Sequence, residues 1–193
     1  MKTTIFTLIC AAALLYSCQP KKQQPVIETT IETPPTETGI GRLREIHMNN
    51  KITVAKETYN YKYDFVSDES LPVVRNPQGD DYYDNKVTLS IKHGGKEIFN
   101  RTFTKNDFAR LVPKQFMENS ALVGFTYNYT KSETIDSLFF VATVGDPDET
   151  ADMVFPIQLR ISKNGQMTME KAMGLDTEPL NPMTVDPDID GGV

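Results

Sequence analysis

Apolar and polar residues alternate along three stretches in the middle of the chain. The apolar positions are Tyr59, Tyr61, Tyr63 and Phe65, then Val87, Leu89 and Ile91, then Phe155, Ile157, Leu159 and Ile161. Successive side chains of a strand point to opposite faces, so a period of two is typical of strands with one buried face. The pattern predicts an antiparallel sheet with one solvated face.

Turn signals connect these stretches to their neighbours. Gly94-Gly95 follows the second stretch and leads into residues 98–103, and Asn164-Gly165 follows the third and leads into Met167 and Met169. Such residues accept the positive φ angles that a tight hairpin requires. Two β-hairpins are therefore predicted.

A further strand pair is predicted over residues 121–130 and 135–144. The second member is apolar on both faces, which is typical of a central strand that is covered on both sides. Together these strands predict a mainly β (α+β) fold. Its antiparallel meander sheet forms a sandwich or a partly open barrel.

One short helix pair is predicted between the strands. Thr104 and Asp107 have the spacing of a helix N-cap and its partner, and Phe103 and Phe108 occupy the positions of a hydrophobic staple. A helix should therefore begin directly after Thr104. Pro113 lacks a backbone N–H and disfavours helix in the residue before it, so the first segment ends there and a second short turn follows.

The amino terminus has the composition of an export signal. Lys2 precedes an apolar run over residues 5–15, which is shorter than the roughly 20 residues that a membrane-spanning helix needs. The run ends at Ser17-Cys18, and this junction resembles the lipobox of bacterial lipoproteins. The resemblance implies a signal peptide over residues 1–17, cleavage before Cys18, and membrane attachment through acyl chains on Cys18.

The remaining chain divides by composition into three parts. Residues 18–41 are rich in Pro, Thr, Glu and Gln and predict a disordered tether after the lipidated cysteine. Residues 42–173 hold the predicted strands and form a single β-rich domain. Residues 174–193 contain acidic residues and prolines without Lys or Arg, which predicts an acidic, flexible tail.

Charge and cysteine content restrict the chemistry of the mature chain. Cys10 and Cys18 are the two cysteines, so cleavage leaves the domain without a thiol nucleophile or a disulfide. Loss of Lys2 from the 20 basic residues leaves 19 against 26 acidic ones. This excess of negative charge argues against nucleic acid as a partner and leaves the lipid as the membrane attachment. No cofactor is predicted.

The hairpin and helix-start residues carry a family resemblance. Residues 87–91, 95–99 and 103–108 together resemble small Bacteroidetes lipoproteins that are grouped as a domain of unknown function, over about residues 45–173. That family has no assigned activity, so the resemblance implies a compartment and no catalytic residues. Because Gln19-Pro20-Lys21-Lys22 follows the cysteine instead of acidic residues, we expect an outer-membrane anchor that faces the periplasm, with surface display as the alternative.

Candidate catalytic residues are few. His47 and His93 are the two imidazoles, and His93 lies in a predicted turn, where a solvated role is the default. The sequence contains no Gly-x-Ser-x-Gly elbow, no His-Glu-x-x-His pair and no glycine-rich phosphate loop. Two carboxylates at the spacing of a glycosidase remain the one enzymatic alternative, since 26 acids are present.

One polar cluster with two aromatic residues is the predicted ligand site. Its members are Asp80, Asp81, Tyr82, Tyr83, Asp84 and Asn85. Carboxylates and amides bind sugar hydroxyls or coordinate calcium through their oxygens, and an exposed tyrosine ring packs on an apolar ligand surface. The competing interpretation is a solvated loop with one tyrosine folded back onto the sheet.

Two short motifs do not change this picture. Asp186, Asp188 and Asp190 have the spacing of half an EF-hand loop but lack the glutamate at position twelve, so no metal site is predicted. Asp136-Ser137-Leu138 resembles an O-glycosylation motif of exported proteins, and the sequence leaves modification of Ser137 open.

Two functions follow, in order. The first is a membrane-anchored, non-catalytic accessory or binding lipoprotein of the cell envelope, with an envelope protein or a glycan as partner. The second is a carboxylate-based glycan hydrolase. Because nucleophile motifs are missing and histidine is scarce, we rank the binding function first.

Overall fold

The computed structural model describes residues 28–32, 39–134, 136–148 and 150–172. Their strands are β1 (Glu28–Glu32), β2 (Glu45–Val54), β3 (Glu57–Ser67), β4 (Val74–Arg75), β5 (Asp81–Tyr82), β6 (Asn85–His93), β7 (Lys96–Thr104), β8 (Ala121–Tyr127), β9 (Ser137–Gly145), β10 (Val154–Ser162) and β11 (Met167–Lys171). Two 3-10 turns span Lys105–Phe108 and Lys114–Phe116, and the α-helix α1 spans Tyr129–Thr134.

The long strands form two antiparallel sheets. The first sheet has the order β1-β2-β3-β6-β7, and the second has the order β11-β10-β9-β8, while β4 and β5 form a small separate hairpin. Each sheet has two edge strands, so within the described residues neither closes into a barrel. The mainly β, antiparallel fold predicted from the sequence is confirmed in its sandwich form.

One hydrophobic core lies between the sheets. The inward positions of β3 and β6 meet those of β8, β9 and β10. Tyr61 contacts Phe140 edge-on with ring centroids 5.4 Å apart, and Tyr63 contacts Phe125 in the same way at 5.1 Å. The alternation of tyrosines in β3 is therefore the alternation of an inner face. The residues that alternate with them along β3, Asn60, Lys62 and Asp64, lie on the outer face.

The predicted hairpins are present at both glycine turns. Gly94 and Gly95 have φ angles of 56° and 80°, and Gly165 has a φ angle of 79°. Gly165 also lies against another strand, because a Cβ atom there would come within 1.9 Å of the carbonyl oxygen of Ile98. The three glycines thus adopt the positive φ angles that the prediction assigned to the turns, whereas Asn164 does not.

The helical segment after β7 is shorter than a helix pair. The Thr104 N–H donates to Asp107 Oδ2 at 2.9 Å, and the rings of Phe103 and Phe108 stack with centroids 5.9 Å apart. The predicted cap and staple are both present. The two segments are 3-10 turns of four and three residues, because Pro113 follows too closely for an α-helix to develop.

The strand predicted over residues 121–130 ends earlier than expected. β8 stops at Tyr127, and α1 begins at Tyr129. The cause is Asn128, whose side-chain oxygen accepts a hydrogen bond from the Lys131 N–H at 3.0 Å, which is the geometry of a helix N-cap. The central strand predicted to be covered on both faces is β9, and eight of its nine residues are buried.

The segment predicted to be a disordered tether contains a strand. Glu28–Glu32 pairs with β2 from Glu28 opposite Asn49 to Glu32 opposite Glu45. All five residues are exposed, so backbone hydrogen bonds hold β1 at the sheet edge without burial of a side-chain face. Disorder was therefore the wrong prediction for these five residues. The predicted signal peptide, Cys18 and the predicted acidic tail lie outside the described residues.

Candidate functional site

The predicted ligand cluster, residues 80–85, runs from an exposed turn into the sandwich. Asp80 is exposed at the tip of the β4-β5 hairpin, where its N–H donates to Asn76 Oδ1 at 2.7 Å. Asp81 accepts two hydrogen bonds from the Arg75 guanidinium at 2.8 Å each. The hydrogen bonds from Arg75 lower the pKa of Asp81. The Asp81 carboxylate thus has its partner within the hairpin, whereas at Asp80 it is the backbone N–H that is hydrogen-bonded.

The two tyrosines of the cluster pack against the segment that precedes β2. The Tyr82 ring lies against Gly41, where a Cβ atom would come within 2.6 Å of the ring. The guanidinium of Arg42 lies over the Tyr83 ring at 4.5 Å from its centroid. Burial raises the pKa of the Tyr82 hydroxyl. These two contacts fix the position of the segment that leads into β2.

Asp84 and Asn85 connect the two sheets. Asp84 Oδ1 accepts hydrogen bonds from the N–H groups of Asn85 and Leu122 at 2.8 and 2.9 Å. The Asn85 side-chain amide donates to the Leu122 carbonyl at 2.8 Å, and Lys105 Nζ lies 3.5 Å from Asp84 Oδ2. Asp84 and Asn85 are 2% and 0% exposed. The structure thus separates the cluster into two buried structural residues and four partly or fully exposed ones.

A second polar constellation lies on the outer face of the first sheet. It is a groove of about 540 Å³ whose side chains come from adjacent outward positions of β2, β3 and β6. We call it the lysine groove and define it by Asn49, Lys51, Asn60, Lys62, Ser90 and Lys92. Its volume lies within the range of about 300–1,000 Å³ that is typical of small-molecule sites.

Strand register places three lysines around one asparagine. Lys51 and Lys92 flank Asn60 on either side in one cross-strand row, and Lys62 lies two residues further along β3. Neighbouring strands are about 4.8 Å apart, so the Lys51 and Lys92 backbones are roughly 10 Å apart. In the next row Lys62 lies between Asn49 and Ser90. Ammonium groups therefore alternate with two amides and one hydroxyl, along the rows and along the strands.

The lysines of the groove differ in their ion pairs. Lys62 Nζ lies 3.1 Å from Asp64 Oδ2, whereas no carboxylate pairs with Lys51 or Lys92 in the part of the chain that the structure describes. Glu28 also lines the groove, from β1. On the opposite side, Glu97 accepts a hydrogen bond from Ser90 at 3.1 Å. The groove is a cationic centre with acidic residues at its rim.

A histidine and a carboxylate lie beside the groove in the following row. His47 Nδ1 is 2.7 Å from Asp64 Oδ1. Partial burial raises the pKa of Asp64, but hydrogen bonds from His47 and Lys62 and the charge of Lys62 outweigh this and lower it overall. His93, the other histidine, stacks on Tyr59 at 4.7 Å and lies 3.5 Å from Glu57. The two imidazoles thus lie in separate environments.

A smaller cavity of about 360 Å³ lies between the edges of the two sheets. Apolar side chains from both sheets line it, with Asp146 and Asp148 at one side. Asp146 Oδ1 accepts from the Asp148 N–H at 3.0 Å, and Asp148 Oδ1 accepts from the Thr150 N–H at 2.8 Å. The hydrogen bonds from Thr150 lower the pKa of Asp148. The hydrogen bonds of both aspartates thus stay within their own loop.

The described residues contain neither a metal-binding cluster nor a membrane-spanning helix. No three His, Cys, Asp or Glu side chains among them lie close enough together to hold a metal ion. No helix in the described ranges is long and apolar enough to cross a membrane. Ser137 is 4% exposed there, with its hydroxyl accepting from Arg160 Nε at 3.1 Å.

The comparison with curated proteins found no match. A family model described as "Domain of unknown function (DUF4738)" matches residues 27–169, which include β1 and most of β11. Because this match covers more than half of the sequence, the chain belongs to the DUF4738 family of domains of unknown function.

Proposed function

We propose that this protein is a lipid-anchored, non-catalytic binding protein of the cell envelope. In this proposal Cys18 carries the lipid, the sandwich lies outside the cytoplasm, and the lysine groove is the ligand surface. The outer membrane, facing the periplasm, is the proposed location. The lipobox-like junction at Ser17-Cys18 and the resemblance to small Bacteroidetes lipoproteins support the anchor.

The observation that carries the binding role is the unpaired charge in the lysine groove. Lys51 and Lys92 have no ion-pair partner in the described chain, although the whole protein has a net charge of −6. An ammonium without a partner beside side-chain amides is available to a ligand, whereas the carboxylates of Asp81 and Asp84 are already hydrogen-bonded. The lysine groove therefore replaces residues 80–85 as our principal candidate for the ligand site.

We rank the hydrolase alternative lower because of the pKa of a carboxyl group beside the groove. A glycosidase acid must hold a proton near neutral pH, which requires a raised pKa. Asp64, the carboxyl group that pairs with Lys62 of the groove, has a lowered pKa because His47 and Lys62 donate to it. A low pKa suits a charged partner of Lys62 and His47 rather than a general acid.

Two measurements test the proposal separately. Mass spectrometry of the amino-terminal peptide should show acylated Cys18 as the first residue. An intact, unmodified first segment in the cytosolic fraction would overturn the anchor.

The second measurement is capture from envelope extracts. The wild-type protein should retain a component that the triple variant Lys51→Gln, Lys62→Gln, Lys92→Gln does not retain. The matched control is Lys114→Gln, Lys163→Gln, Lys171→Gln, which removes the same charge outside the groove and should bind like wild type. Equal capture by both variants would contradict the groove as the binding surface.

A further inference from the structure

The lysine groove limits the kind of anion that it can accept. Its three ammonium groups lie within two adjacent cross-strand rows, and carboxylates of Glu28, Asp64 and Glu97 surround them. An extended anionic surface would meet these carboxylates as well as the lysines. A ligand with one or two negative charges, placed over the centre, would avoid that repulsion.

The neutral side chains of the groove indicate a hydroxylated ligand. Asn49 and Asn60 are exposed and have no hydrogen-bond partner for their amides in the described part of the chain. Each amide offers two donor hydrogens and an acceptor oxygen, which matches hydroxyl groups that both donate and accept. The amides lie in rows with the lysines, so one ligand can contact both kinds of group.

Aromatic stacking contributes little in this groove. Among the described residues, Tyr61 is the one aromatic residue that lines the groove, and it is 1% exposed because its ring packs against Tyr127 and Phe140. A neutral sugar that depends on stacking would find no exposed ring. Charge must therefore supply much of the affinity.

We propose, on the basis of the binding function above, that the lysine groove binds a discrete acidic sugar. The ligand is a hydroxylated ring that carries a carboxylate or a phosphate. The anionic group lies between Lys51, Lys62 and Lys92, and the ring hydroxyls contact the amides of Asn49 and Asn60. A bilayer surface of anionic lipids is the rejected alternative, because the acidic rim and the net charge of −6 oppose it.

Calorimetric titration of the full lipidated protein in a neutral detergent tests this ligand class. Cellobiouronic acid and cellobiose form a matched pair, since the acid replaces one CH₂OH group with a carboxylate, and glucose 6-phosphate tests the phosphate form. We expect the acidic probes to bind at least tenfold more tightly than cellobiose, with a preference that falls as salt increases. Tighter binding of cellobiouronic acid would identify the anionic group as a carboxylate, and tighter binding of glucose 6-phosphate would identify it as a phosphate.

Variants locate the interaction. Lys51→Gln combined with Lys92→Gln should reduce the preference for acid roughly tenfold, whereas Lys114→Gln combined with Lys171→Gln should leave it unchanged. Asn60→Ala should weaken acidic and neutral probes by the same factor, because it removes a contact to hydroxyl groups.

Three results would overturn the acidic-sugar inference. They are equal affinity for cellobiose and its acid, failure of every sugar probe to bind up to millimolar concentration, and binding to phosphatidylglycerol vesicles that exceeds binding to any sugar. The proposed function fails only if capture from envelope extracts is also independent of the groove lysines. The two failures are therefore distinguishable.

Discussion

The outer faces of the two sheets are covered to very different extents. On the second sheet, Phe139 of β9 points outward and is nevertheless 1% exposed, because α1 lies beside it with Lys131 Nζ 5.4 Å from the ring centroid. On the first sheet, the outward positions of β2, β3 and β6 are polar except for Val66, and none of them is buried. The comparison indicates that the covered face belongs to the folding core, whereas the open face is available for binding.

Phe139→Ala should produce the largest loss of stability on the covered face. Removing a buried phenyl ring costs about 3–5 kcal/mol, since burial is lost and a cavity remains. Urea unfolding should show a decrease of this size, similar to that of Phe140→Ala on the inner face. A loss below about 1 kcal/mol, as for an exposed side chain, would show that α1 does not cover this face.

Ser132→Ala should cost less than Phe139→Ala and act on the same contact. The Ser132 hydroxyl donates to the Asn128 carbonyl at 2.8 Å and accepts from the Phe139 N–H at 3.0 Å. Its removal leaves a buried N–H without a partner, which costs about 1–3 kcal/mol. Hydrogen exchange should accelerate at Phe139. Ser90→Ala on the open face is the matched control, and an equal loss there would remove the distinction between the faces.

Asp68→Asn should reveal an ionic contribution at the end of the open face. Hydrogen bonds from Lys86 and from Ser70 lower the pKa of Asp68 to about 2, whereas an unfolded aspartate titrates near about 3.9. A carboxyl group whose pKa is lower in the folded state stabilises the fold at pH values above its unfolded-state pKa. This stabilisation is lost as the pH falls from about 4 to about 2.

The free energy of unfolding, measured between pH 2 and pH 6, should therefore differ between wild type and Asp68→Asn mainly above pH 4. Asp152→Asn, at an exposed position without an ion pair in the described part of the chain, is the control. A difference that stays constant down to pH 2 would contradict the assignment.

Lys51→Gln and Lys92→Gln should have the smallest effect on stability. Each exposed lysine lacks an ion pair in the described chain, so its removal should change the free energy of unfolding by less than about 0.5 kcal/mol. Lys105→Gln provides the contrast, since that ammonium is 13% exposed and donates to the Ser120 carbonyl. If the groove variants destabilise the protein as much as Lys105→Gln does, their charges serve folding rather than binding.

Much of the fold follows from local sequence rules. Glycine turns at Gly94-Gly95 and Gly165, the Thr104 cap and the apolar alternation of β6 and β10 are each determined by a few neighbouring residues. The sequence analysis assigned residues 121–130 to one strand and did not predict the α1 cap at Asn128, because the tyrosines around this residue favour strand.

The β2-β3 hairpin shows where local rules are insufficient. Its turn residues, Ala55 and Lys56, have φ angles of 49° and 69°, which β-turns usually assign to glycine or asparagine. Strand pairing on both sides holds them there despite the steric cost. Without a turn signal, β2 could not be identified from the sequence, and neither could its edge partner β1.

Prediction of the candidate site would likewise have required the strand register. Lys62 and Lys92 occupy outward positions that alternation alone predicts, but their placement around Asn60 requires the pairing of three strands. By contrast, the inward position of Asn85 could have been predicted, since it shares the parity of Val87, Leu89 and Ile91. That parity would have removed Asn85 from the predicted ligand cluster.

Lysine acetylation in intact envelopes is the most direct test of the open face as a binding surface. Mass spectrometry should compare the reactivity of Lys51, Lys62 and Lys92 with that of Lys114, Lys163 and Lys171, before and after detergent purification. If the groove is occupied in its native setting, the first three lysines become more reactive on purification while the others do not change. Equal reactivity of the two sets in both states would contradict a ligand on this face.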